Sequence, residues 1–373
     1  MIKVRKILAI KVRSLGDTVL VTAPLAELRR AYPDAAIHVV AEEKWAPILE
    51  AHPAIDKLWP YSRPRNWVGR ITRSAYLAGF FFKLWRQKFD CVVNFHASTS
   101  TALFSRATGA RVRAVHFHGH KDENRYSTVI IPDKGRIKPI IERDMDVVRA
   151  LGINVPEGKT PEVHVTPGEI QEAREQLAAR AMRQPLLALG IGASRPTKSW
   201  PTGCFARLAI GWVRRTGGAA LALGGADDDA AGRAFLRSVN DELVASGGTG
   251  DAIENVRQSI GVETGFTLRE LAGFLSICSV YAGNDSGCKH VAAAVGAPTC
   301  TVFGPEHPYE WHPYSKDRHP FFFVEGLMCR KSGEPGMPKW CGAERCVSGN
   351  HGCMNSIKVE DVLGECVRIG RKK

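Results

Sequence analysis

No stretch of this chain approaches the ~20 consecutive apolar residues that a membrane-spanning helix needs. No Gly-x4-Gly-Lys-Ser/Thr occurs, so a Walker phosphate loop is excluded. Ser14-Leu15-Gly16-Asp17 stands where an NAD-dependent oxidoreductase would carry Gly-x-Gly-x-x-Gly after its first strand, and that reading is disfavoured. Zinc-finger, RNP and basic-zipper patterns are missing, and the basic residues are scattered rather than clustered, so no nucleic-acid partner is expected. Internal repeats are absent too. The opening Met1-Ile2-Lys3-Val4-Arg5-Lys6-Ile7-Leu8-Ala9-Ile10 is too short and too interrupted by charge for a signal peptide. It reads as a first strand, and a cytoplasmic protein is expected.

What is present fits a globular enzyme. The 373 residues, 44% hydrophobic and 24% charged, suit two domains rather than one core. Lys and Arg number 51 against 38 Asp and Glu, a formal net charge of +13 that favours anionic partners such as phosphorylated substrates or lipid headgroups. Six of the ten cysteines (Cys91, Cys204, Cys278, Cys288, Cys300, Cys366) lie in apolar or motif contexts and read as small core residues.

Short apolar runs alternate with amphipathic segments, the pattern of βαβ units and a parallel sheet. Strands are expected at 6–12, 36–40 and 90–95, an extended piece at 126–131, and helices at 17–31 and 70–87. The Pro/Gly-rich stretch 154–161 marks a domain boundary: residues 1–160 form one Rossmann-like domain and 161–373 a second. In the second, strands are expected at 185–190, 219–223, 278–283 and 298–303, with helices at 168–181, 202–216, 267–276 and 286–295. Two such α/β domains are expected to face a central cleft at their C-terminal strand ends.

Two loops carry anion-binding chemistry. Asn284-Asp285-Ser286-Gly287 joins a strand to a helix, with Asp285 or Ser286 placed to cap it and Gly287 open to close approach by a ligand. The free N–H groups and dipole of that helix suit a diphosphate. Gly190 to Pro201 also follows a strand and offers Arg195 and Lys198 as counter-ions. Taken singly, each loop is equally an ordinary turn.

Together with Ser14-Leu15-Gly16-Asp17…Pro24-Leu25, the loop ending Lys198-Ser199-Trp200-Pro201 and the segment Asp285-Ser286-Gly287-Cys288-Lys289-His290…Phe303-Gly304-Pro305 resemble the ADP-heptose:lipopolysaccharide heptosyltransferases, glycosyltransferase family 9. The resemblance implies a GT-B fold, two Rossmann-like domains about a cleft, and inverting transfer of heptose from ADP-heptose to a lipopolysaccharide core without a catalytic metal or other cofactor. It implies Asp17 as the base, with Ser14 and Gly16 beside it on the acceptor, and Lys198 as counter-ion of the leaving diphosphate. Ser194, Asp228, Asp285, Ser286, Gly287 and His290 would complete the donor site. Inversion by direct displacement needs a base on the hydroxyl and stabilisation of the departing diphosphate. Cys288-Lys289 departs from the family's usual residues, and Lys289 would add charge near the phosphates.

An anionic acceptor directs attention to Arg63, Arg65, Arg70, His96 and Ser98. The apolar run Leu77 to Phe82, flanked by Lys83 and Arg86, reads either as the buried face of a helix or as a peripheral contact with the inner face of the inner membrane. Within the segment 327–355, Cys329, Cys341, Cys346 and Cys353 lack Cys-x2-Cys knuckles, which leaves a structural zinc or iron ion, disulfides and free thiols all open. The last helix, Val359 to Ile369, is expected to pack back on the first domain, as in other GT-B enzymes. The alternatives are a family member using another nucleotide sugar or a protein acceptor and, more remotely, the oxidoreductase or a basic nucleic-acid binder.

Overall fold

The structure is a computed structural model that describes residues 4–62, 70–96, 98–116, 126–129, 131, 138–225, 228–247, 250–331 and 340–371. Its contacts divide the chain into two units, Met1–His164 and Val165–Lys373.

The first unit is built on β1 (Lys6–Lys11), β2 (Ala36–Glu42), β3 (Lys57–Tyr61), β4 (Cys91–Asn94) and β5 (Val112–Val115). All pair in parallel, in the order β3-β2-β1-β4-β5. Ile7, Leu8, Ala9 and Ile10 are all buried, as a central parallel strand covered on both faces requires. The strand order reverses between β1 and β4, and the crevice at such a switch point is where open α/β sheets bind ligands.

The expected helix over 17–31 is two, Leu15–Leu20 and Thr22–Ala31. Pro24 has no N–H to offer the carbonyl of Leu20, so the ladder breaks at Val21. Around 126–131, the described residues form an isolated bridge between Ala114 and Val129 rather than a strand. The helix Arg70–Trp85 buries Phe80 and Leu84 but exposes Phe82 and Trp85, whose rings stack with Arg86 over Phe82. Both readings of its apolar run therefore have a physical basis. No helix among the described residues is long and apolar enough to cross a membrane.

The second unit is built on β6 (Leu186–Gly190), β7 (Ala219–Leu223), β8 (Ile260–Glu263), β9 (Val280–Asn284), β10 (Thr299–Phe303) and β11 (Phe321–Phe323). The strands are again parallel, in the order β11-β10-β9-β6-β7-β8, with the switch point between β6 and β9. The C-terminal helix Val359–Gly370 spends its apolar face inside this unit. Val362, Leu363, Cys366 and Ile369 join the core around Trp212 and Val280. A Cβ on Gly211 would lie 2.5 Å from Leu363 Cδ2, so the glycine is what lets the two helices approach.

Leu363→Ala should lower the unfolding free energy by about 2–5 kcal/mol, the range for a fully buried leucine. Urea denaturation measures it, and a loss under about 1 kcal/mol would mean that the helix is not seated this way.

Candidate active site

In the second unit the site is assembled where β6 and β9 end. Gly190 and Gly283 are neighbours across that pair. A Cβ on Gly190 would fall 1.8 Å from the Tyr281 hydroxyl, so the strand ends can sit side by side only without one. Asn284, fully buried, ties the two loops: its Oδ1 accepts the Trp200 N–H at 2.8 Å and its Nδ2 donates to the Ile191 carbonyl at 3.1 Å.

This tie sets the turn Pro196–Lys198 beside Asp285. Lys198 Nζ lies 2.7 Å from Asp285 Oδ2, and Lys289 Nζ lies 2.5 Å from Oδ1. Lys289 is buried and also caps the Phe303 ring at 4.1 Å, while the side chain of Lys198 is 15% exposed. Two ammonium groups thus share one carboxylate, and Lys198 is the one that a ligand can reach. Burial pushes the Asp285 carboxyl upward, but the two lysines override it and hold it below its usual range. Burial lowers Lys289 to about 8 against the opposing pull of Asp285.

Neither expected cap of the helix Gly287–Ala294 forms. Asp285 is committed to the lysines, and Ser286, the N-cap residue, makes no side-chain capping bond. The first N–H groups of the helix therefore keep their capacity for an external acceptor. Lys289, expected to add charge near the phosphates, is buried behind Asp285.

The other expected donor residues separate. Ser194 is exposed on the same loop as Lys198. Asp228 accepts the Gly225 N–H at 2.8 Å, and its Oδ2 would stand 2.7 Å from a Cβ on Gly192, so it abuts the donor loop. His290, expected at the donor, is buried with Nδ1 bonded to the Tyr314 hydroxyl at 2.7 Å. Burial drives its pKa down, so it stays neutral and belongs to the packing behind the site.

In the first unit Asp17 lies beyond the end of β1, 2% exposed, in the first helical turn after Ser14. Exposed Ser14 donates its hydroxyl to Asp17 Oδ2 at 2.7 Å, and Arg13 Nε stands 3.5 Å from the same oxygen. Oδ1 has no hydrogen-bond partner and lies 3.6 Å from Lys11 Nζ. Gly16 is buried within the same turn. Burial raises the Asp17 carboxyl, but Lys11, Arg13, Ser14 and His96 together bring it below its usual value. His96 thus acts on Asp17 from beyond β4. Its N–H donates to Asn94 Oδ1 at 3.0 Å, and Ser98 caps the next helix. Arg63 and Arg65 lie outside the described residues, as does the side chain of Arg70.

Two members of this site, Lys11 and Asp144, were missed by the sequence reading. Lys11 follows the apolar run Ile7-Leu8-Ala9-Ile10 and is buried with it, and Asp144 sits at helical spacing between Ile141 and Val148 on a buried face. A charge inside an apolar pattern was the available signal.

The four cysteines Cys329, Cys341, Cys346 and Cys353 line one cavity of about 250 Å³ in the second unit, together with Thr197, Arg330 and His351. Their thiols are free, and among the described residues no three His, Cys, Asp or Glu side chains stand close enough to share a metal ion. The cavity abuts the loop that carries Lys198. Arg195 donates to the Gly342 carbonyl at 2.8 Å and pairs with Glu306, and Thr197 Oγ1 donates to the Ala343 carbonyl at 2.8 Å.

The chain matches the family described as Glycosyltransferase family 9 (heptosyltransferase) over residues 79–332. It is 25% identical over 313 residues to the lipopolysaccharide heptosyltransferase 3 of Escherichia coli, covering 82% of this chain and 86% of that protein. The solved E. coli ADP-heptose lps heptosyltransferase II superposes with a TM-score of 0.75 at 21% identity, over 98% of this chain and 99% of that one. The iron-containing dodecameric glycosyltransferase TibC of enterotoxigenic E. coli shares the fold at a TM-score of 0.57 and 12% identity, over 99% of this chain and 76% of that one. With two parallel α/β sheets, and a family match over more than half its length, the chain is a GT-B glycosyltransferase and belongs to family 9, the heptosyltransferases.

Proposed function

We propose that this enzyme moves heptose from ADP-heptose to a lipopolysaccharide-core hydroxyl by direct displacement with inversion. The observation that carries the reading is the surplus positive charge of Lys198 and Lys289 around Asp285, beside a helix start whose N–H groups lack a side-chain cap. That combination suits a diphosphate leaving group better than a neutral ligand. Asp17 takes the proton of the acceptor hydroxyl, which reaches the buried carboxylate by way of Ser14. The acceptor oxygen bonds the anomeric carbon as the carbon–oxygen bond to the diphosphate breaks, and the charge left on ADP falls to Lys198 and the Ser286-Gly287 N–H groups. Asp17 is a weak base in the ground state, so proton transfer comes late, after the hydroxyl has acidified by attack. This scheme invokes no catalytic cofactor. The first unit serves the acceptor and the second the donor, with Ser194 and Asp228 at the sugar-nucleotide edge. An acceptor on a lipid anchor would suit the exposed Phe82 and Trp85 beside Arg86.

A screen of nucleotide sugars, read as nucleoside diphosphate release, tests the donor. Acceptor-dependent ADP release from ADP-heptose supports the reading, and release only from another nucleotide sugar overturns it.

Asp17→Asn should cut turnover by about 10²–10⁴-fold, the usual worth of a general base, and leave ADP affinity unchanged. Near-normal turnover would remove Asp17 from the role. Lys198→Ala should weaken ADP binding by roughly 10- to 100-fold, the worth of one charged hydrogen bond. Lys289→Met should weaken it as well, although Lys289 is buried, because Asp285 then neutralises Lys198 completely. Titration calorimetry with ADP measures both.

A second reading gives the cysteine-rich segment a structural zinc or iron ion, and the iron-containing TibC, similar in fold, supports it. Four thiolates are the donor set that zinc or iron takes tetrahedrally, and Arg330, buried at the same cavity, would offset their charge. The thiols line one cavity but are not drawn to ligand distance, so the donor chemistry fits while the geometry would have to close. Elemental analysis of purified protein should find about one zinc or iron per chain, with loss of thermal stability on chelation. Protein free of stoichiometric metal at full stability would leave the cysteines as thiols.

A further inference from the structure

Lys11 is the hub of a buried cluster that the reaction scheme does not use in full. Its ammonium lies 2.7 Å from Asp144 Oδ2, 3.3 Å from the Phe95 carbonyl and 3.6 Å from Asp17 Oδ1. All three charged residues are nearly inaccessible: Lys11, Asp17 and Asp144 are each 2% exposed. One cation is therefore divided unequally between two carboxylates, with Asp144 holding the shorter contact.

We propose that Asp144 is a positioning residue that withholds the Lys11 ammonium from Asp17 and so preserves the basicity Asp17 needs. The inference rests on Asp17 being the base. A carboxylate in full contact with a buried ammonium is a poor proton acceptor, because accepting a proton strands the cation. By holding Lys11 at hydrogen-bond distance, Asp144 keeps the contact with Asp17 long, so the carboxylate keeps more of its affinity for a proton at Oδ2, the oxygen that Ser14 addresses. The other charged or titratable groups facing Asp17 are Arg13, preceding its helix, and His96, beyond β4. Arg143 faces Asp144 from its own helix.

The arrangement has a pH signature. Burial, against the opposing pull of Lys11, raises the Asp144 carboxyl to about 6. Above that pH Asp144 is charged and holds Lys11. Below it Asp144 is neutral, Lys11 turns to Asp17, and turnover falls.

The experiment compares kcat of the full-length wild type, Asp144→Asn and Asp144→Glu between pH 5 and 8.5, with ADP affinity and melting temperature recorded for each. Wild type should show an acid limb near pH 6. Asp144→Asn should lose that limb, matching wild type at pH 5 and running about tenfold slower at pH 8 with an unchanged donor KM. Asp144→Glu should restore both limb and rate in part. An Asn variant whose kcat equals wild type at pH 8, or whose profile runs parallel to wild type at every pH, overturns the proposal; a parallel profile is what a merely structural role gives. Asp17→Asn separates the two readings. If it retains turnover, the base assignment fails; if it is inactive while the Asp144→Asn profile is parallel to wild type, only the role of Asp144 fails.

Discussion

A buried charge is stable only when its partners share it, and each unit of this protein divides one such charge between two partners. In the first unit two carboxylates, Asp17 and Asp144, share the ammonium of Lys11. In the second, two ammonium groups, Lys198 and Lys289, share the carboxylate of Asp285. Breaking a buried pair by removing one partner typically costs about 3–5 kcal/mol, so a triad resists dissolution even though its charges do not balance. The imbalance suits the proposed chemistry. A surplus carboxylate among apolar neighbours favours a proton, and a surplus ammonium favours an anion. Displacement of a diphosphate by a hydroxyl requires one of each.

The sheets determine where these triads can stand. A central parallel strand is apolar over its interior and admits charge at its ends, and the C-terminal end, where the next loop departs, is the one that faces ligands. Lys11 is the last residue of β1, and Asn284, last in β9, is followed directly by Asp285. Both positions lie at the point where strand order reverses and the crossing helices diverge. Gly190 and Asn284 bring the loops of the second unit into a fixed place without drawing on its charges, whereas Ser14 in the first unit bonds the Asp17 carboxylate itself.

Strands buried on both faces were legible in the sequence. Leu186-Leu187-Ala188-Leu189 and Ile7-Leu8-Ala9-Ile10 show themselves as continuous apolar runs. The short outer strands were not: β3 reads Lys-Leu-Trp-Pro-Tyr and β11 is three phenylalanines, and neither offers enough periodicity to distinguish a strand from a loop. Asp17, Lys198 and Asp285 were legible because each sits in a local motif. The pairing of Lys11 with Asp144 was not, since 133 residues separate them and only the packing of a helix against the sheet unites them. Lys289 was legible as a charge but not as a buried one. Its direction depends on Phe303 and Asp285, and a one-dimensional pattern does not say which way a residue in the first turn of a helix will face.

The cysteine-rich segment bears on the candidate site around Lys198 through the backbone it grips. Arg195 precedes the turn that carries Lys198 and Thr197 lies within it, and both bond to residues 342–344 between Cys341 and Cys346. Cys341 itself donates its N–H to the Pro305 carbonyl at 2.9 Å, and Arg330 donates to the Gly304 carbonyl at 2.8 Å, just past the end of β10. Whatever fixes this segment also fixes the turn, and with it the distance from Lys198 to Asp285. The described residues of this segment bury little apolar side chain besides Met354, and so remove little area from water by packing. Its order must come from the polar strap onto Arg195 and Thr197, from whatever the four thiols bind, or from both. In the two cases that involve the thiols, loosening the cysteines would reach the turn of Lys198 through Arg195 and Thr197.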